Sequence, residues 1–209
     1  TDVDIKYPLR NSWGFLTPAL RIVHRNYHLD DASTISRNSA SITTTSASLD
    51  AGVVFERQTQ ISSRHLLQTL EPRIFYLHTA DKFQDDLPLF DSTQITPSYT
   101  QLFRNNRFTG YDRIGDANQF GLGLTTEFSS LVTGEHLLSA SIGQLFYLDD
   151  RTVNLAGSDS INPAASASPV FLRLQSQLSN LTVNASYEFD TDKDQSNRGY
   201  LSLRYQTSQ

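Results

Sequence analysis

The densest group of residues able to do chemistry lies between Leu102 and Gln119. There Arg104, Arg107, Asp112, Arg113 and Asp116 stand among Phe103, Phe108, Tyr111 and Ile114. The planar guanidinium fork of arginine suits phosphate and carboxylate, so these arginines are candidates for holding an anionic group. The two aspartates are equally able to neutralise them from within. A solvated tail does not mix charges and rings in this way. A folded loop with its own small core and internal ion pairs does. The segment is therefore expected to be an ordered lid in which Phe103, Phe108 and Tyr111 are shielded. Asp112 and Arg113 are expected to hold it through ion pairs or backbone hydrogen bonds, where the chain re-enters regular structure at Ala117. A second charged pair, Glu71 and Arg73, lies two residues apart on one strand face and is expected to pair with charges on neighbouring strands.

Catalytic and metal-binding patterns are poor. Five histidines are scattered at 24, 28, 65, 78 and 136, with no HExxH. His24 and His28 have helical i, i+4 spacing in a stretch that does not read as helix. Asp149, Asp150, Asp190, Asp192 and Asp194 read as loop carboxylates; the last three are the nearest approach to a calcium loop, and a weak one. Gly121-Leu122-Gly123 lacks the rest of a nucleotide fingerprint and falls in a strand. No Ser/His or Asp/His pair can be assembled at a common rim. No enzyme activity and no cofactor are expected.

The elements that must position these residues show a period of two, the signature of a sheet with one apolar and one polar side. Ala47, Leu49, Ala51, Val53 and Phe55 alternate with Ser46, Ser48, Asp50, Gly52 and Glu56, and only Val54 breaks the rule. Phe120, Leu122, Leu124 and Phe128 alternate with Gln119, Gly121, Gly123, Thr125 and Glu127; Leu181, Val183, Ala185, Tyr187 and Phe189 do so with Thr182, Asn184, Ser186, Glu188 and Asp190. The pattern predicts strands near 2–9, 14–28, 44–57, 65–79, 117–129, 136–149, 168–178, 181–190 and 198–208. Proline lacks the ladder donor. Pro8 and Pro169 sit at strand ends, but Pro18 and Pro72 are expected to cause a bulge or weakened pairing.

Connections alternate in length. Tight turns near 11–13, 58–64, 130–135 and 179–180 separate long loops at 29–43, 80–116 and 150–167. Transmembrane β-barrels have short turns on one side and longer loops on the other; a soluble β-sandwich has no reason to keep that parity. Trp13, Phe15, Phe55, Tyr76, Phe128, Phe146, Tyr187 and Tyr205 lie near strand ends, as girdle aromatics do. The 209 residues carry a net charge of −5, no cysteine, 38% hydrophobic residues and a mean hydropathy of −0.38. No basic stripe for nucleic acid is present, and no apolar run is long enough for a transmembrane helix. A barrel strand meets lipid at only every second residue, so modest hydropathy suits a barrel. The chain does not begin with Met and shows no signal-peptide pattern, which suggests an excerpt of a longer protein. The fold expected is all-β: an antiparallel up-and-down sheet, part of a large transmembrane β-barrel.

Three segments resemble the LptD family of lipopolysaccharide (LPS) assembly proteins. The first is Phe55-Glu56-Arg57 followed by Thr69-Leu70-Glu71-Pro72-Arg73 and Tyr76-Leu77. The second, and most specific, runs from Leu102 to Gln119 and includes Arg107, Gly110, Tyr111, Asp112, Arg113, Ala117, Asn118 and Gln119. The third is Ser141-Ile142-Gly143-Gln144 with Phe146-Tyr147. Ser12-Trp13-Gly14 followed by Pro18 also fits. The resemblance implies that residues 1–209 form the central part, about nine strands, of a C-terminal outer-membrane barrel that assembles LPS into the outer leaflet. It implies a lipoprotein plug, LptE, inside the barrel and a periplasmic bridge protein, LptA, met through a domain absent here. On that reading Glu71 and Arg73, or Arg104, Arg107 and Arg113, would meet plug or LPS groups. The alternatives are a general outer-membrane porin and a soluble β-sandwich binding module.

Overall fold

The computed structural model describes residues 1–28, 39–155 and 162–207. Eleven strands form a single antiparallel sheet. They are β1 (Asp2–Lys6), β2 (Leu9–Asn11), β3 (Gly14–His28), β4 (Ser39–Val53), β5 (Phe55–Ile61), β6 (Arg64–Thr79), β7 (Ala117–Ser130), β8 (His136–Tyr147), β9 (Val170–Leu178), β10 (Leu181–Asp190) and β11 (Gln195–Tyr205). The path through the sheet is β1-β3-β4-β6-β7-β8-β9-β10-β11, with β2 also on β3 and β5 also on β6. Sequence neighbours are thus spatial neighbours throughout, the up-and-down order expected. Among the described residues the sheet is open and no second sheet packs on it, so the sandwich alternative falls.

Both awkward prolines act on the strand next to them. Lys6 is opposite Ala19 and Leu9 is opposite Leu16, so the register runs on across the gap between β1 and β2. The interruption, at Tyr7-Pro8, faces Pro18, whose carbonyl still accepts from the Tyr7 N–H at 3.0 Å. A residue in an antiparallel strand points its N–H and C=O to the same neighbour, so the donor that Pro18 lacks is missing on this side. Likewise Gly52 is opposite Arg73 and Phe55 is opposite Leu70. The break between β4 and β5 therefore falls at Val54, opposite Glu71 and next to Pro72, which faces Val53; Val54 is the residue that violated the alternation.

Several boundaries differ from the expectation. The strand placed at 44–57 begins at Ser39 and divides into β4 and β5, so the turn placed at 58–64 shrinks to Ser62-Ser63. Ser39, Ser41 and Thr43 alternate with Ala40 and Ile42 and extend the pairing with β3, Tyr27 lying opposite Ala40 and Ile42 being buried. The first strand, placed at 2–9, is two short pieces, and the last begins at Gln195 instead of 198. Of the expected long loops, 29–38 and 156–161 lie outside the described residues.

The register sorts the side chains into two faces. Leu20, Leu49, Ile74, Leu122, Leu124, Leu172, Leu201 and Leu203 share one face and are exposed. A large apolar area open on a folded surface marks contact with something other than water. At one end of this outer face Tyr76, Phe120 and Phe146 lie side by side, the last two rings stacked at 5.1 Å. Toward the other end stand Trp13, Phe55 and Tyr205, all exposed, and Phe128. From Phe120 to Phe128 is eight steps, ~26 Å along the strand, comparable with the roughly 25 Å apolar band of a transmembrane barrel. The opposite, inner face carries Arg21, Asp50, Glu71, Arg73, Thr125, Glu127, Arg173 and Arg204, and the segment from 80 to 116 folds back over it.

Candidate functional site: an inward-folded loop on a glycine floor

One row of residues runs across the inner face from strand to strand: Phe15, Gly52, Arg73, Gly123, Gly143 and Phe171. Glycine recurs because something lies on top. A 3₁₀ turn, Tyr99–Gln101, and the two residues after it sit directly on the strands. A Cβ on Gly123 would come within 2.7 Å of the Phe103 ring and 2.8 Å of the Tyr99 hydroxyl. One on Gly143 would meet Leu102 Cδ1 at 2.5 Å, and one on Gly121 the Leu102 carbonyl at 2.7 Å. Leu102 is among the most buried side chains of the protein, at 1% exposure. Any larger residue at these three positions would lift the loop from the wall.

Arg73 stands in the same row and clamps the loop from the side. Its Nε and Nη2 donate to the two Asp50 oxygens at 2.8 and 2.7 Å. Its guanidinium lies 4.1 Å from the Phe103 ring centroid and 5.7 Å from that of Phe15. The aspartate fixes the fork and the rings take its faces. The expected pairing of Arg73 across strands is present. Glu71, opposite Thr125, has no ion-pair or hydrogen-bond partner among the described residues.

The loop's own charges are spent on the loop. Arg113, buried, donates to the carbonyls of Leu87 at 2.9 Å and Pro88 at 3.2 Å. Asp112 accepts from the N–H groups of Phe90 at 2.6 Å and Asp91 at 2.7 Å. Burial would raise its pKa, but these backbone donors and Arg113 outweigh burial and hold the carboxyl below its ordinary value. Arg107 pairs with Asp116 at 2.6 Å and also donates to the carbonyls of Asp116 and Val153. Asp116 accepts in addition from the N–H groups of Thr152 at 2.8 Å and Val153 at 3.0 Å. It thereby ties the loop before β7 to the loop after β8. Burial again opposes ionisation of Asp116, and Arg107 with the two backbone donors overcomes it, so its pKa is lowered. Of the three arginines between Leu102 and Gln119, only Arg104 is exposed, donating to Gln101 Oε1 at 3.1 Å.

The remaining motif residues are placed as follows. Pro72 faces outward opposite Leu124. Gly110 turns the chain with φ +70°, a conformation that favours glycine. Ala117 opens β7 opposite Thr79. Asn118 accepts from the Tyr76 hydroxyl at 3.0 Å and donates to Asp149 at 2.8 Å. Gln119 lies inward between Leu77 and Tyr147. Gln144 donates to the Ser168 carbonyl at 2.8 Å. Phe108, at 3% exposure, is shielded as expected, and Phe103 is partly so. Tyr111 is not: it is 68% exposed. The turn at Gly110 carries it over the end of β3, where Arg25 offers a cation 5.5 Å from the ring centroid instead of an apolar wall. His24 bonds Thr43 Oγ1 at 2.9 Å, and no cluster of three or more metal-ligating side chains occurs among the described residues.

Sequence reasoning missed the glycine floor and the role of Asp116 as a link between two loops. The floor had a readable sign: glycines at every second position of a strand, all on its polar side, remove side chains from one face only. The partner of Asp116 lies 36 residues away and has no local signature.

An up-and-down antiparallel sheet with an apolar exposed outside, aromatic residues toward both ends and a polar inside filled by its own loop has the architecture of a transmembrane β-barrel wall. The family model for LPS transport system D, LptD, matches residues 1–209. An LPS-assembly protein LptD of Hahella chejuensis is 43% identical over 155 residues, 74% of this chain and 19% of the relative. Its counterpart in Alkalilimnicola ehrlichii is 36% identical over 202 residues, 95% of this chain and 27% of the relative. That of Pseudomonas fluorescens is 34% identical, covering 97% of this chain and 24% of the relative. The chain belongs to the LptD family, and it spans about a quarter or less of the length of these relatives.

Proposed function

We propose that residues 1–209 are a central stretch of the wall of an outer-membrane barrel that assembles LPS into the outer leaflet. The observation that carries this reading is the division of the sheet into a lipid-type face and a hydrophilic face, in a chain of this family. The saccharide of LPS is hydrophilic and cannot cross hydrocarbon; a polar inner face gives it a path, while the outer face remains in lipid. The work is transport, with no bond made or broken by the wall itself. The short turns, at Ser62-Ser63, 131–135 and 179–180, face the periplasm, and the long connections, including 80–116, lie on the extracellular side. A lipoprotein plug such as LptE would occupy the lumen. A bridge protein such as LptA would be met through other parts of the full-length protein.

A porin would share the wall but would not take LPS as cargo. The discriminating experiment places a photo-crosslinking residue at inward positions Gln58 and Ser186 and at outward positions Leu124 and Val183 of the full-length protein in cells. LPS adducts at the inward positions that disappear when LPS delivery from the inner membrane is blocked are expected. LPS adducts confined to the outward positions, or independent of delivery, would contradict the reading.

A further inference from the structure

The cations of the inner face are distributed unevenly in their state of pairing. On the side covered by the loop they are committed: Arg73 to Asp50, Arg21 and Arg25 to Asp2, Arg107 to Asp116, and Arg113 to carbonyls. On the inner face of β9 to β11 they are open. Arg173, Arg198 and Arg204 have no carboxylate or hydrogen-bond partner among the described residues. Of the acids nearest to them, Glu188 lies opposite Arg198 in register but is held by Asn197 Nδ2 at 3.1 Å, and Asp190, which lines the adjoining groove with Arg198 and Asp192, is paired with Lys193.

These arginines share a groove of about 630 Å³ walled on one side by residues Thr96 to Thr100 of the inward loop. Its floor is built from cross-strand rows. Arg173, Ser186 and Tyr200 form one, Gln175, Asn184 and Ser202 the next, and Thr182 and Arg204 lie beyond. Hydroxyls and amides there match sugar hydroxyls, and the Tyr200 ring offers a flat face with a polar tip. Apart from the Tyr200 ring, the one apolar side chain that β9–β11 turn inward among the described residues is Phe171, at 3% exposure. Three unpaired guanidinium forks supply bidentate sites for phosphate or carboxylate.

We infer that the groove between residues 96–100 and the inner face of β9–β11 binds an anionic saccharide, its charged groups taken by Arg173, Arg198 and Arg204. The inference rests on the reading of the barrel as an LPS translocon and names where on this wall the charged sugar is held. The anionic groups have two sources on such a molecule, the lipid A phosphates and the phosphates or carboxylates of the core sugars.

The test uses the full-length protein in its native complex, with a photo-crosslinking residue at Ser186 and a second at Gln58, which faces inward on β5 away from the groove. LPS adducts are expected at both. The combined change Arg173→Gln, Arg198→Gln and Arg204→Gln should lower the Ser186 adduct roughly tenfold, as the loss of hydrogen bonds to charged groups implies, and leave the Gln58 adduct unchanged. The matching set of Arg→Lys changes, which keeps the charge and controls for folding, should restore most of the Ser186 signal. LPS lacking core phosphates should lose the Ser186 adduct if those phosphates are the groups held, and retain it if lipid A phosphates or core carboxylates are. An undiminished Ser186 adduct in the glutamine variant, or adducts at Gln58 and none at Ser186, would overturn the inference while leaving the translocon reading standing. Absence of LPS adducts at both positions would remove the translocon reading and the inference with it.

Discussion

Leu122→Arg should destabilise the barrel by about 2–4 kcal/mol, the cost of an arginine near the midplane of a bilayer, whereas Thr125→Arg on the same strand should cost far less. Leu122 is 41% exposed on the outer face, between Phe120 near one end and Phe128 near the other. A guanidinium there would have to leave water, with only the neighbouring Ile74 and Gln144 beside it in register. Thr125 points to the polar face, opposite Glu71. An arginine there meets an acid that has no partner among the described residues. The measurement is the midpoint of urea unfolding of the full-length barrel in lipid vesicles, supported by its level in the outer membrane. Equal losses for the two variants would show the face assignment to be wrong.

Asp116→Ala should release the inward loop, at a local cost of about 3 kcal/mol. The magnitude follows from removing one partner of a buried ion pair and leaving the other charge uncompensated. Arg107 would lose its carboxylate, and the N–H groups of Thr152 and Val153 their acceptor. The loop after β8 would come loose together with the one before β7. Protease cleavage between residues 80 and 116 should rise sharply, while the strands keep their resistance. The same site predicts a pH dependence. The folded pKa of Asp116 lies below its ordinary value of 3.8. Its stabilising contribution is therefore complete above that value and lost as pH falls through the lower folded pKa. Loop protection in the parent protein should be flat from neutrality to about pH 5 and fail only below about pH 4, and the variant should show a smaller step, the part that Asp112 contributes. Unchanged protease resistance in Asp116→Ala would mean that the glycine floor alone holds the loop.

Much of the wall was legible in the sequence because a half-buried strand writes its geometry locally. Alternation placed Leu122 and Leu124 outside and Thr125 inside without knowledge of any neighbour. Missing amide hydrogens at Pro18 and Pro72 announced the two weak points, though not that the damage would appear as a broken strand opposite. The loop's composition announced order, and Asp112 and Arg113 do hold it, through backbone groups. What the sequence left hidden depends on register. Whether Gly123 stands beside Gly143, and whether Arg73 falls between Phe15 and Phe103, is decided by pairings among strands far apart in the chain. The exposed position of Tyr111 is of the same kind, since the end of β3 that meets it lies 86 residues earlier. Residues of the most specific motif thus serve first to fold the loop inward. The open cations on β9 and β11 carry no motif at all.

The central claim is that one side of this sheet faces lipid and the other a water-filled interior, and β10 allows it to be measured without disturbing the loop. Spin labels at Thr182, Val183, Asn184, Ala185, Ser186 and Tyr187, one at a time in the full-length protein in bilayers, report collision with dissolved oxygen and with a water-soluble nickel complex. The account predicts a strict period of two: oxygen access high at Val183, Ala185 and Tyr187, and nickel access high at Thr182, Asn184 and Ser186. Equal access to nickel on both faces, or the absence of alternation along the strand, would contradict it.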